Sequence, residues 1–194
     1  MKFKKLLIIL SFFIIVLLMF SFGCKKEAVA ETGNDISNAQ PSYLQLYEGL
    51  HITGTPIEVD IKSYRLKIIG AVEKELNLTF DEVKKLSSVR ENIALECPGF
   101  FVDEGYWTGV KIPDLLNMAG LKKEAKRVKF ISIDGTYSQT LALEEIRPNG
   151  FLISYQFNDK EFSKYHGYPL RVVADGEPGS VWVKWLGTIE VLDH

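Results

Sequence analysis

Cysteine is scarce in this 194-residue chain, with only Cys24 and Cys97, and the scarcity excludes several chemistries. There is no C-x-x-C-H run for covalent haem, no cysteine cluster for an iron–sulfur centre and no zinc-type ligand spacing. A P-loop and a dinucleotide-binding glycine fingerprint are also missing. Positive charge is in short supply. Residues 1–23 hold Lys2, Lys4 and Lys5 and no acid, which leaves 20 of the 23 Lys and Arg against 25 Asp and Glu. No basic stripe remains to replace the counterions of a phosphate backbone, so a nucleic-acid partner is excluded. What is present is 46% hydrophobic and 12% aromatic residues, enough for one compact domain with its own core.

The three N-terminal lysines precede the apolar run 6–22 and then Gly23-Cys24. This order reads residues 1–23 as an export segment. The Gly-Cys pair resembles a bacterial lipoprotein lipobox and marks Cys24 as the lipidated residue. The other reading is an uncleaved anchor, for which about 17 apolar residues are at the short limit of a span. Both place the domain outside the cytoplasm, tethered to the cell membrane. Residues 24–50 are polar and read as a flexible tether, leaving 51–194 as the domain. With Cys24 lipidated, Cys97 has no disulfide partner within the chain. Its thiol is then either a small buried apolar group or a reactive one on display.

Alternation at Ile57, Val59 and Ile61, and at Tyr64, Leu66 and Ile68 before Gly70, predicts two strands. Thr79 and Glu82 stand at capping-box spacing and predict a short helix over 79–87. Ile93, Leu95 and Cys97 share one face of a further strand that Pro98-Gly99 ends, so the thiol sits at a strand-to-loop junction. Residues 99–109 read as an unusually aromatic loop, with Phe100, Phe101, Tyr106 and Trp107. Pro113 opens a helix that Gly120 stops. A strand over 128–133 runs into Asp134-Gly135, a short helix over 143–146 is closed by Pro148, and 151–157 with the Asn158-Asp159 turn predicts a hairpin. Arg171 and Lys184 bracket a Gly/Pro-rich loop. They form either an anion cradle or two snorkelling cations over apolar surface.

Cys97, Trp107-Thr-Gly109, Pro113-Asp-Leu-Leu116, Asp134-Gly135, His166-Gly-Tyr-Pro-Leu-Arg171 and Val183-Lys184-Trp185 occur in an order that resembles the sulfite oxidase-like molybdopterin-binding domain. That family includes sulfite oxidase and the catalytic subunit of the periplasmic methionine sulfoxide reductase. The resemblance covers about residues 57–192, and it implies an α+β fold of mixed β-sheets with short helices. It implies a Mo-molybdopterin cofactor with Cys97 as the only protein ligand of molybdenum and as the catalytic residue. By the same resemblance Ser132 contacts the cofactor, His166 and Arg171 hold the pterin and its phosphate, and Trp182, Val183 and Lys184 close over it. The implied reaction is two-electron oxygen-atom transfer, with single electrons passing through a separate haem- or quinone-linked protein.

The chain departs from the sulfite oxidases after the cysteine, where Pro98-Gly99-Phe100-Phe101-Val102 replaces a Gly-Asn-Arg type segment. A sulfite anion loses charge pairing in such a mouth, which suits a small neutral or sulfoxide-like substrate. The n-region has no Arg-Arg pair. That leaves a second reading, an exported domain of the same fold that lacks the cofactor and binds another ligand or partner. A third is thiol chemistry by a Cys97–His166 pair.

Overall fold

The chain from residue 45 to 194 is described in a computed structural model, and its elements follow the hydrophobic periodicity closely. They begin with a small hairpin, β1 (Leu46–Tyr47) and β2 (Leu50–His51), which occupies the last residues assigned above to the tether. Next come β3 (Leu66–Gly70), β4 (Leu76–Leu78), α1 (Phe80–Lys85), β5 (Val89–Cys97), β6 (Phe101–Lys111) and α2 (Ile112–Ala119). The remainder comprises β7 (Arg127–Ser132), β8 (Ser138–Ala142), β9 (Phe151–Phe157), β10 (Lys160–Glu161), β11 (Arg171–Ala174) and β12 (Leu186–Leu192). Short 3₁₀ turns lie at Leu143–Glu145 and Gly179–Val181.

One sheet runs β10-β9-β6-β5 with β11 also paired to β9, and the other runs β4-β3-β12-β7-β8. Every pairing is antiparallel except β12 with β3, so the second sheet is mixed. In the first sheet, β11 is buried at all four positions and β9 at every position but Gln156, as expected for strands covered on both sides. The helices of the described residues are short, so sheets dominate the α+β architecture.

The capping box forms: the Glu82 N–H donates to Thr79 Oγ1 at 3.2 Å, and the Thr79 N–H donates to Glu82 Oε2 at 2.8 Å. At the end of α2, Gly120 adopts φ 71°, where a side chain would be strained. The Asn158-Asp159 turn closes β9 onto β10 with φ of 47° and 65°, the geometry of a tight hairpin turn.

Two expectations need correction. Residues 57–61 form no strand; Val59 and Ile61 pack on the core, so the alternation there reflects a chain lying over apolar surface without a neighbour to pair with. The aromatic stretch 99–109 is mostly strand, because Phe101 onward is β6, paired with β5 and β9. Its glycines serve close packing: a Cβ at Gly105 would run into the Phe157 ring, and one at Gly109 into the Ile153 carbonyl.

Candidate functional site

Three of the expected residues come together around Gly167. This glycine has φ 101°, and a Cβ on it would lie 3.0 Å from Lys184 Cβ and 3.2 Å from Arg171 Cβ. Only glycine lets these two backbones approach so closely. His166 precedes it, Arg171 opens β11 and Lys184 precedes β12. Arg171 does not snorkel, and Lys184, half-buried, turns its Nζ onto two main-chain carbonyls. Arg171 is 3% exposed and His166 1%.

Their bonding is incomplete. The Arg171 guanidinium has Trp107, Phe162 and Trp182 rings 5.1, 5.9 and 5.9 Å from its carbon, and Nη1 donates to the His166 carbonyl at 3.3 Å. Nε is buried with no partner among the described residues. His166 Nε2 lies 2.8 Å from the Tyr47 carbonyl oxygen, which only accepts, so the ring proton sits there and Nδ1 is left buried and unpartnered. Lys184 Nζ donates to the carbonyls of Thr53 (2.6 Å) and Tyr165 (2.9 Å), leaving one of its three N–H bonds. Burial pushes all three basic groups down: His166 to about 4, Arg171 to about 10 and Lys184 to about 6. Burial thus disfavours the charged forms of Lys184 and His166, and an anion beside them would favour those forms again.

The same connection reaches the thiol. Gly179, in the turn between β11 and β12, lies so close that a Cβ on it would sit 3.8 Å from Cys97 Cβ. Cys97 ends β5 opposite Phe101, is partly exposed and forms no disulfide. Trp182 crosses Trp107 at 5.3 Å and its indole donates to the Glu177 carbonyl at 3.1 Å, which braces this connection. Val183 is a strut as well: its N–H is taken by the Val181 carbonyl and its carbonyl by the Val172 N–H. Ser132 is adjacent through its pairing with Leu186, but its hydroxyl is committed to the local turn, donating to Asp134 Oδ1 at 2.6 Å and accepting from the Tyr137 N–H at 3.1 Å. The Cys97–His166 thiol pair is not formed, since neither ring nitrogen of His166 bonds to sulfur. The expected lipidation site, Cys24, lies outside the described residues.

Sequence reasoning missed Asp103, a buried acid on the inner face of β6 whose charge is felt by both Arg171 and Lys184. Its signal was the alternation Phe101, Asp103, Gly105, Trp107, hidden by reading 99–109 as a loop.

Among the described residues no three His, Cys, Asp or Glu side chains group to hold a metal ion. A metal at Cys97 would find no such set of protein ligands among the described residues. Arg171 Nε and the third N–H of a charged Lys184 are unused donors, and His166 Nδ1 becomes one when its ring takes a second proton; together they fit the anionic part of a metal-bearing cofactor. The family described as the oxidoreductase molybdopterin binding domain matches residues 52–194. The chain belongs to this family. This molybdopterin-binding domain is 26% identical to the sulfite oxidase of Arabidopsis thaliana, over 71% of this chain and 44% of that protein. It is 29% identical to an NADH nitrate reductase of Ulva prolifera, over 68% of this chain and 19% of that one. In three dimensions it matches the sulfane dehydrogenase SoxCD from Paracoccus pantotrophus with a TM-score of 0.67 and 26% identity, covering 72% of this chain and 40% of that chain. The domain thus spans less than half the length of these relatives.

Proposed function

We propose that the chain is a membrane-tethered molybdenum enzyme that transfers an oxygen atom in a two-electron reaction on a small neutral, sulfoxide-like substrate. Cys97 is the thiolate ligand of molybdenum, and a separate electron-transfer protein, haem- or quinone-linked, exchanges single electrons with the site. The observation that carries this reading is the convergence of the under-bonded His166, Arg171 and Lys184 on the connection that touches Cys97. When bound, the cofactor supplies the two-electron redox chemistry.

The chain's own residues hold and orient it. Arg171 supplies a fixed cationic donor through Nε, held in its aromatic cage. Lys184 supplies its remaining N–H, and His166 binds an anion through Nδ1 once the ring takes a second proton. The Gly179–Trp185 segment, braced by Trp182 and Val183, keeps the thiol and the cations in register. At the mouth, the exposed Phe100 in the turn after Cys97 supplies an apolar side chain, which suits a neutral substrate better than an anion.

Metal analysis of protein purified from its native host tests the reading, with about one molybdenum per chain expected. A colourless, pterin-free protein overturns it in favour of a cofactor-free binding module. Turnover of small sulfoxides above that of sulfite is expected, and brisk sulfite oxidation refutes the substrate assignment. A C24S variant released from the membrane fraction supports lipid anchoring, whereas retention points to an uncleaved N-terminal helix.

A further inference from the structure

Asn149-Gly150 is the only Asn-Gly pair in the chain, and it lies in the turn that leads into β9. Asn149 is exposed and Gly150 is buried. Glycine is required at 150, because its φ is 78° and a Cβ there would lie 2.5 Å from Asp175 Cβ. Covalent connectivity keeps the Gly150 nitrogen one ring closure from Cγ of Asn149. With no Cβ at 150, nothing on the attacking residue hinders that closure.

Both reacting groups are held by a charged side chain. The Gly150 N–H donates to Glu91 Oε2 at 2.8 Å, in a partly buried contact. Lys111 Nζ donates to Asn149 Oδ1 at 2.7 Å. An ammonium has only donors, so the amide oxygen must face it and Nδ2 is turned the other way. Nδ2 has no hydrogen-bond partner among the described residues. Glu91 lies in β5 and Lys111 ends β6, so the two come from neighbouring strands of the sheet that contains β9. Gly150 is fixed as well by its carbonyl, which accepts from the Asp175 N–H at 2.9 Å. Rigid strands thus set a carboxylate at the proton of a nucleophile and an ammonium at the oxygen on which charge develops. General-base and oxyanion catalysis of acyl transfer use the same two devices.

We propose that Asn149 is a self-modification site, at which Glu91 and Lys111 promote cyclisation of the Asn-Gly pair and its conversion to aspartate and isoaspartate. Glu91 takes the Gly150 proton as the nitrogen attacks Asn149 Cγ. The N–Cγ bond forms, and Lys111 stabilises the oxyanion on Oδ1. As the carbonyl re-forms, the Cγ–Nδ2 bond breaks and Nδ2 leaves as ammonia with the proton that Glu91 held. Water then opens the ring imide at either carbonyl, so one water enters, one ammonia leaves and no oxidation state changes. In the aspartate product the new carboxylate stands beside Lys111, where an ion pair replaces the hydrogen bond to the neutral amide. Isoaspartate instead adds a methylene to the main chain just before the two hydrogen bonds that tie Gly150 to Glu91 and Asp175. A purely structural anchor predicts the opposite behaviour, because fixing the turn would slow ring closure.

The test is peptide mapping by mass spectrometry of the full chain, incubated at neutral pH and sampled over days. Conversion replaces NH2 by OH, and chromatography separates the aspartyl peptide from the isoaspartyl one. Both products are expected at Asn149, formed at least about threefold faster in the folded chain than in the same chain kept unfolded in guanidinium chloride. E91Q keeps an acceptor for the Gly150 N–H but is no base, and K111M removes the charge at Oδ1. Each is expected to slow conversion about three- to tenfold, less than in a closed active site because solvent reaches this turn, with far-UV circular dichroism unchanged. The proposal is overturned if Asn149 converts no faster folded than unfolded, if either variant converts at the wild-type rate or faster, or if only the aspartyl product forms, the mark of direct hydrolysis. Should E91Q lose its fold, K111M and the comparison of folded with unfolded chain decide in its place.

Discussion

Around His166, Arg171 and Lys184 the chain is closed: rings cage the guanidinium and carbonyls hold the ammonium. Around Cys97 it opens instead: the thiol is partly exposed, and Phe100 in the turn that follows is 57% exposed. One region leaves buried polar atoms, Arg171 Nε and His166 Nδ1, without partners among the described residues, a cost that a bound ligand would relieve. The other leaves a thiol within reach of solvent, which suits turnover. The difference separates holding from reacting, and substitutions ought to separate in the same way.

The largest effect is expected at the open end. C97S removes the sulfur that the proposed molybdenum site requires, so activity should fall by more than the roughly 10–100-fold that outer-sphere changes cost, while the fold persists by circular dichroism. At the closed end the expectation is inverted. R171M should cut molybdenum content by more than about tenfold, yet leave the cofactor-free chain as stable or up to about 1–4 kcal/mol more stable in urea, because it removes a buried and poorly bonded cation. Loss of stability together with full metal retention would erase the distinction between the two regions.

A pH series sharpens it further. Lys184 sits at about 6 in the fold against an ordinary value of 10.5, so between those values the unfolded chain binds more protons. Cofactor-free stability therefore rises with pH across that window and is lost as pH falls through it; His166 acts in the same sense between about 4 and 6.5. An anionic ligand recharges both groups, so the Tm of loaded protein should climb less steeply with pH. The smallest effect is a control away from both regions: T79A removes the α1 cap and should cost about 1 kcal/mol, or roughly 2–4 °C in Tm, with no change in metal content.

Much of the scaffold was legible because it follows local rules. Thr79 and Glu82 announced a cap, Pro113 and Gly120 bounded α2, and Asn158-Asp159 specified a hairpin. Cys97 was placed correctly at a strand end by period-two spacing and Pro98-Gly99. Arg171 and Lys184 stayed ambiguous, since a buried cation and a snorkelling one have the same sequence signature, and only tertiary packing tells them apart. Residues 99–109 misled because glycines at 105 and 109 imitate loop composition, whereas their purpose is to admit Phe157 and Ile153. The hydrogen bond between His51 and Asp103 spans 52 positions and has no local signature at all.

One consequence follows from the place of β12. The strand lies between β3 and β7, yet it follows every other described element in sequence. Until residues 186–192 emerge in synthesis, β3 and β7 each present an unpaired edge, the kind of surface on which nascent sheets aggregate. Lys184 and the Leu186 N–H that bonds the Leu170 carbonyl arrive in the same few residues. Completion of the cationic cradle and closure of the sheet are thus one event in time, and a chain truncated before residue 184 would lack both.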